Sequence, residues 1–257
     1  MSHEAEYHDN MVTMLELIWG DGYMAPGGTG NVAKLLDGTA PEGKLILDIG
    51  CGIGGPAIDM VRLHGAQVAG IDLEEPLIRR AKIAARKAGL QDHCTFQCVE
   101  PGPLRFPDAS FDIVVSSGAL TQTEDKASML AEILRVLKPG GYFSCYEWMT
   151  SGQDASTDLQ YWIKLEELTY AFQTLAEYGR LLDVAGFGDV RTTDASAWYQ
   201  AEASREYELL KGELYEPMIK LLGKADADHF VESWRAMVIV CNSGEMRQGY
   251  CRAQRPG

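Results

Sequence analysis

Residues 47–55 read Leu47-Asp48-Ile49-Gly50-Cys51-Gly52-Ile53-Gly54-Gly55, directly after the apolar run that starts at Lys44. The run Lys44–Gly50 predicts a strand ending at glycine, and Pro56–His64 has the spacing of a helix. Glycine at this junction permits a tight turn and lets a ligand approach the backbone closely. Working outward, Gln67–Asp72 predicts a second strand and Pro76–Gly89 a helix with proline near its start and glycine past its end. Thr95–Glu100 and Phe111–Ser116 are two further strands, Asp125–Lys138 is a helix stopped by Pro139-Gly140-Gly141, and Tyr142–Trp148 is a fifth strand. This alternation predicts an α/β fold with a doubly wound parallel sheet.

The second half changes character. Asp158–Ala185 has helical spacing up to Gly186, Asp189–Thr193 is a short strand, Ala201–Leu222 and Ala227–Val240 read as helices, and Gly249–Ala253 is a last strand. One domain over residues 1–257 is expected, with an N-terminal lid segment 1–30 and a helical insertion at about 196–247 that covers a ligand at the sheet's carboxyl edge.

Composition narrows the function classes. Lys plus Arg is 23 and Asp plus Glu is 37, so the net charge is 23 − 37 = −14. A surface that negative repels phosphate backbones and anionic lipid, which argues against nucleic acid or a membrane as partner and for a small molecule. No uncharged apolar run approaches the ~18 residues needed to cross a bilayer. The acidic start MSHEAEYHDN has no signal-peptide pattern, so a reducing cytoplasm with free thiols is expected. Cys94 and Cys98 are four apart but lack a second ligand pair at zinc spacing, and the histidines are scattered, so no metal is expected.

Gly50, Gly52 and Gly55 also satisfy G-x-G-x-x-G, so a dinucleotide competes for the loop. Asp72 ends the second strand, at the usual distance beyond Gly52 for a carboxylate that accepts both ribose hydroxyls of either NAD or S-adenosylmethionine. Asp48 separates the two. A carboxylate there suits the ammonium of S-adenosylmethionine and repels the pyrophosphate of NAD. Glu100, ending the third strand, is placed to accept from an adenine amino group.

LDIGCGIGG (47–55), GID (70–72), FDIVVS (111–116) and LKPGG (137–141) together resemble the class I S-adenosylmethionine-dependent methyltransferases, over roughly residues 43 to 149. The resemblance implies a Rossmann-like fold whose seven-stranded, mostly parallel sheet ends in an antiparallel strand, with a helical lid. It implies S-adenosylmethionine as cofactor and S-adenosylhomocysteine as product. By motif match, Asp48, Gly50 and Gly52 line the methionine end, with the backbone of Cys51 beside them. Asp72 and Leu73 meet ribose and adenine, Glu100 meets adenine, and Pro101 and Ser116 complete the set.

The amino terminus resembles the phosphoethanolamine N-methyltransferases. There, a tyrosine at a set spacing before a glycine is catalytic, and Tyr7 and Gly20 have that spacing. The stretch Tyr23-x-x-x-Gly27-Gly28 matches the one that closes over the cofactor, and Trp19 is a candidate substrate contact. Asp194–Tyr199, Ser233-Trp234-Arg235 and a final Gly-Tyr strand resemble that family's tail. The family's catalytic histidine falls at Gln122, which holds a hydrogen bond but takes no proton. Its phosphate-gripping arginine falls at Leu168 and its lysine near Ala236, while two aromatics are matched by Tyr170 and Trp148. A second resemblance, in CGIGGPA (51–57), RKAGLQDHCTF (86–96) and YEWMT (146–150), is to the sterol C-methyltransferases. In that reading Glu147 is the base for a carbocation's proton, or it holds a substrate ammonium.

Methyl transfer is an in-line displacement at a sulfonium carbon, so a site must align and desolvate the nucleophile. An amine must also lose a proton. The resemblance of head and tail to the phosphoethanolamine N-methyltransferases implies N-methylation of a small polar amine, with Tyr7, Gln122 and Glu147 as acceptor-side residues. Methylation of carbon, oxygen or sulfur, an NAD-binding oxidoreductase and a non-catalytic cofactor-binding subunit are the alternatives.

Overall fold

The computed structural model describes residues 7–257. Two helices come first, α1 (Asp9–Trp19) and α2 (Gly28–Leu36). There follow β1 (Leu45–Ile49), α3 (Gly55–His64), β2 (Gln67–Asp72), α4 (Glu75–Lys87), β3 (Cys94–Cys98), β4 (Phe111–Ser117), α5 (Lys126–Val136) and β5 (Leu137–Thr150). The second half is α6 (Thr157–Glu166), α7 (Leu175–Ala185), β6 (Gly188–Asp194), α8 (Ser196–Lys211), α9 (Tyr215–Leu222), α10 (Lys224–Asn242) and β7 (Met246–Gln254).

The strands form one sheet in the order β3-β2-β1-β4-β5-β7-β6. Neighbours from β3 across to β5 pair in parallel, and β7 pairs antiparallel with both β5 and β6. β1 and β4 sit mid-sheet with both faces covered, which is why they read as near-continuous apolar runs. The chain leaves β1 for β2 on one side and reaches β4 on the other. This reversal opens a crevice at the strands' carboxyl ends, the usual ligand position in such sheets.

One face packs Ile46, Met60, Ile78, Ile113 and Tyr146 against α2, α3 and α4. The other packs Leu47, Val114, Ile133, Phe143 and Leu182 against α5 and α7. A third cluster, with Met14, Trp162, Tyr199, Trp234 and Met237, joins α1, α6, α8 and α10 above the crevice. The amino-terminal helix and the late helices thus share one apolar core, although all of β1 to β5 lies between them in the chain.

Three elements differ from the sequence expectation. The helical stretch 158–185 is two helices: Glu167 takes the left-handed conformation (φ 55°), and α7 restarts at Thr174, whose side chain caps the N–H of Glu177. The stretch 201–222 is also two helices, separated at Gly212. The Lys138-Pro139-Gly140-Gly141 turn lies inside β5 as a bulge: Phe111 faces Leu137, but Ile113 faces Tyr142. All six cysteines are free thiols. Among the described residues no helix is long and apolar enough to cross a membrane, and no cluster of side chains suits a metal ion.

Candidate active site

A cavity of about 920 Å³ occupies the crevice. Its floor is the loop after β1 (Gly50, Gly52) and the ends of β2 and β3 (Asp72, Leu73, Glu100, Pro101). Gln122 and Trp148 line its middle, and Tyr7, Trp19 and Tyr170 line the part under the helices. These eleven of the sixteen residues singled out in the sequence therefore meet in one space. Tyr23, Asp48, Cys51, Ser116 and Glu147 do not line it.

The glycine loop is shaped by close approach. Gly50 has φ 72°, and a Cβ there would lie 2.0 Å from the Cβ of Ala119. A Cβ on Gly55 would lie 2.2 Å from the carbonyl oxygen of Gly22. The amino-terminal segment is thus seated directly on the loop, and the N–H of Gly55 donates to that carbonyl at 3.0 Å. Glu16 strengthens the seat. Its carboxylate accepts from the N–H of Gly22 at 2.9 Å and pairs with the guanidinium of Arg80 on α4. Nearby, the N–H of Tyr7 donates to Glu74 at 3.1 Å.

Most of the loop's N–H groups already have protein partners. Those of Gly50 and Cys51 donate to the carbonyl of Ile71, that of Gly52 donates to Asp72 at 2.9 Å, and that of Gly54 donates to Cys51. With the Gly55 N–H given to Gly22, the start of α3 is capped by a carbonyl and flanked by two carboxylates. A pyrophosphate would need those donors and would meet the wrong charge. This geometry does not fit a dinucleotide.

It does fit a nucleoside with a cationic tail. Asp72 is held at the end of β2 by the N–H groups of Gly52 and Glu74, with its carboxylate at the cavity wall. Asp48 lies buried under the loop, and its Oδ2 has no hydrogen-bond partner. Burial, reinforced by the charge of Asp72, pushes its carboxyl up to about pKa 7. An ammonium group at the loop would favour the ionised form of both carboxylates.

The other expectations need correction. Tyr23 turns away from the cavity, because the buried carboxylate of Asp59 takes its hydroxyl together with the guanidinium of Arg62. The Cys51 side chain points beneath the loop, where its Sγ meets the space a Cβ on Gly70 would occupy, while its backbone, on which the expectation rests, lies between Gly50 and Gly52. Ser116 is fully buried in β4, and its hydroxyl favours the charge of Glu147. Glu100 lines the cavity, but its carboxylate is exposed and paired with Arg105 at 2.8 Å. Glu147 is wholly buried, and its Oε2 accepts both the N–H (2.8 Å) and the hydroxyl (2.7 Å) of Thr121. It therefore anchors the short 3-10 turn Leu120–Gln122, which presents Gln122 to the cavity. Burial pushes the Glu147 carboxyl up to about pKa 7, against the pull of the Thr121 hydrogen bonds and the Lys126 ammonium.

Two carboxylates were missed. Glu206 on α8 is buried and accepts the indole N–H of Trp19 (2.8 Å) and of Trp234 (3.0 Å), fixing two rings of the cavity wall. Glu166 ends α6, lines the cavity, and accepts from the hydroxyls of Ser233 and Tyr170. Both were legible in principle. Glu206 falls on the helical stripe Tyr199, Ala203, Leu210, and Glu166 on the stripe Leu159, Trp162, where a charge is out of place.

Comparison with known proteins finds the same fold and related sequences. Residues 47–145 match the family described as a methyltransferase domain. The chain is 28% identical to phosphoethanolamine N-methyltransferase 1 of Arabidopsis thaliana over 245 residues, 95% of this chain and 49% of that protein. A sterol 24-C-methyltransferase of Gibberella zeae is 41% identical over 118 residues, 46% of this chain and 31% of that protein. Phosphoethanolamine N-methyltransferase 2 of Haemonchus contortus, solved with phosphomonomethylethanolamine and S-adenosylhomocysteine, superposes with a TM-score of 0.91 at 22% identity, covering 99% of this chain and 59% of that one. The chain spans about half the length of the phosphoethanolamine N-methyltransferases it matches.

Proposed function

We propose that this member of the class I S-adenosylmethionine-dependent methyltransferases moves the cofactor's methyl group to the nitrogen of a small polar amine. The observation that carries the reading is the single cavity. It runs from a donor-exhausted, acidic glycine loop to an aromatic end that holds Tyr7 and Gln122. The phosphoethanolamine N-methyltransferases match in sequence over 95% or more of this chain, whereas the sterol 24-C-methyltransferase matches over 46% of it.

In this reading Asp72 accepts the ribose hydroxyls, Leu73 and Pro101 flank the adenine, and the backbone of Gly50 and Gly52 meets the methionine tail. Asp48 acts from beneath the loop as a fixed negative charge for the tail's ammonium, through the field rather than by contact. S-adenosylmethionine supplies an electrophilic methyl on a sulfonium sulfur. The protein then aligns and desolvates the amine. The segment Tyr7–Gly22 excludes water by sitting on the loop, and Gln122 orients the acceptor with its amide. The amine reacts as its free base, its ammonium proton having been given to solvent water before the site closes, and the Tyr7 hydroxyl is assigned to an N–H of that nitrogen, from which it accepts a hydrogen bond that turns the lone pair toward the methyl. Glu147 is a positioning residue: it sets Gln122 through Thr121 and is too deeply buried to take a proton from the acceptor. That position counts against alkene methylation, which needs a base at the substrate.

The test is transfer of a labelled methyl from S-adenosylmethionine to a panel of small amines, alcohols and isoprenoid alkenes. Label on nitrogen supports the reading, label only on alkene carbon replaces it with the sterol-like chemistry, and no transfer with tight S-adenosylhomocysteine binding indicates a non-catalytic subunit.

A further inference from the structure

The end of the cavity under the helices has a one-sided charge. Eight acidic residues line the cavity as a whole, against a single Arg or Lys among the described residues. That one, Arg105, lies on the surface at the Glu100 end and is already paired there. Residues 1–6 contain neither Arg nor Lys. A phosphate brought under the helices would therefore lose its hydration with no Arg or Lys to replace it, only the imidazoles of His8 and His229, which is unfavourable.

Glu166 is the more buried of the two carboxylates at that end, beside the exposed Glu167 and near His229. Its carboxylate is fixed by Ser233 on α10 and by the Tyr170 hydroxyl at 3.4 Å. Tyr170 is itself held in a stack, with ring centroids 5.3 Å from Trp162 and 4.8 Å from Phe172. Trp19, Trp148 and Trp234 complete the wall. Indole faces attract cations, and a low-dielectric aromatic wall strengthens the field of one carboxylate. Burial pushes the Glu166 carboxyl upward, while Ser233, Tyr170 and His229 favour its ionised form.

We infer that Glu166 and the tryptophans around it form an ammonium-binding subsite, and that the acceptor is an amine without a phosphate group that is captured there as its ammonium and methylated as its free base after the proton passes to solvent. The inference rests on the amine-methylation reading and narrows its substrate class. The Haemonchus contortus enzyme, in contrast, was solved with a phosphorylated amine.

Binding tests it without turnover. Tetramethylammonium chloride is titrated into the full chain saturated with S-adenosylhomocysteine, following tryptophan fluorescence and calorimetry, with sodium phosphate as competitor. Wild type binds tetramethylammonium and is indifferent to phosphate at the same ionic strength. Glu166→Gln weakens tetramethylammonium tenfold or more with S-adenosylhomocysteine affinity kept, and Glu166→Asp, which keeps the charge, recovers most of it. Unchanged affinity in Glu166→Gln, or phosphate binding that displaces tetramethylammonium from wild type, overturns the inference. If Glu166→Gln loses S-adenosylhomocysteine binding through misfolding, the wild-type comparison of the two ions still decides. A protein that binds the cation through Glu166 yet transfers no methyl refutes only the amine-methylation reading. One that methylates amines while Glu166→Gln binds the cation normally refutes only the subsite.

Discussion

The N–H of Gly55 donates to the carbonyl of Gly22 at 3.0 Å, so the amino-terminal segment and the glycine loop form one hydrogen-bonded unit. A Cβ at position 55 would come within 2.2 Å of that carbonyl oxygen, far inside contact distance. Gly55→Ala must lift the segment. The expected result is a loss of about 1–3 kcal/mol of stability, typical of overpacking, together with at least tenfold weaker S-adenosylhomocysteine binding. Thermal melts and calorimetry measure the two effects.

Asp72 is the next test. Its carboxylate is assigned to the ribose, and a hydrogen bond to a charged group contributes about 1.5–3 kcal/mol. Asp72→Ala should therefore weaken S-adenosylmethionine roughly ten- to hundredfold. NAD should not raise the melting temperature of wild type, because most of the loop's N–H groups already donate within the protein and two carboxylates flank them.

The buried carboxyls make stability depend on pH in an unusual direction. Asp48 and Glu147 are both raised to about pKa 7, each mainly by burial. Between the unfolded carboxyl range, about pH 4, and pH 7, the folded chain holds protons that the unfolded chain has lost. These groups therefore stabilise the fold less as pH rises, and their full cost is present above pH 7. Asp48→Asn should raise the melting temperature of the free protein at pH 8 and lose that advantage toward pH 4. The same substitution should weaken S-adenosylmethionine at pH 8, since it removes the charge assigned to the ammonium. Melts across pH with and without ligand separate the two.

Glu147→Ala removes the acceptor for two buried donors on Thr121. A cost of about 1–3 kcal/mol in stability is expected, with kcat falling and S-adenosylmethionine affinity held, because Gln122 is misplaced while the loop is untouched. Thr121→Val should reproduce the loss of kcat. Equal loss of cofactor affinity in both variants would contradict the positioning role.

Legibility in the sequence followed the range of the interactions. The loop and the place of Asp72 could be read because backbone geometry fixes their spacing, and the parallel part of the sheet could be read because β1 to β5 alternate with helices within one half of the chain. Glu147 was misplaced because β5 is buried on both faces, so the alternation rule gives no direction for its side chain. The direction of Tyr23 was not legible because its partner, Asp59, lies on α3 and only the fold brings them together. Glu166 and Glu206 act through α10, a helix that follows both only after further intervening elements. Their signal is a charge on an otherwise apolar helical stripe, which marks a buried carboxylate but not its partners.

The most direct measurement is mass spectrometry of products after incubation with methyl-labelled S-adenosylmethionine and a panel of small amines, with Tyr7→Phe run in parallel. The expected result is label on the nitrogen of an unphosphorylated amine, with turnover sharply reduced in Tyr7→Phe and S-adenosylhomocysteine affinity unchanged. Label on an alkene carbon alone, or no label on any amine, would contradict the assignment of this cavity to amine methylation.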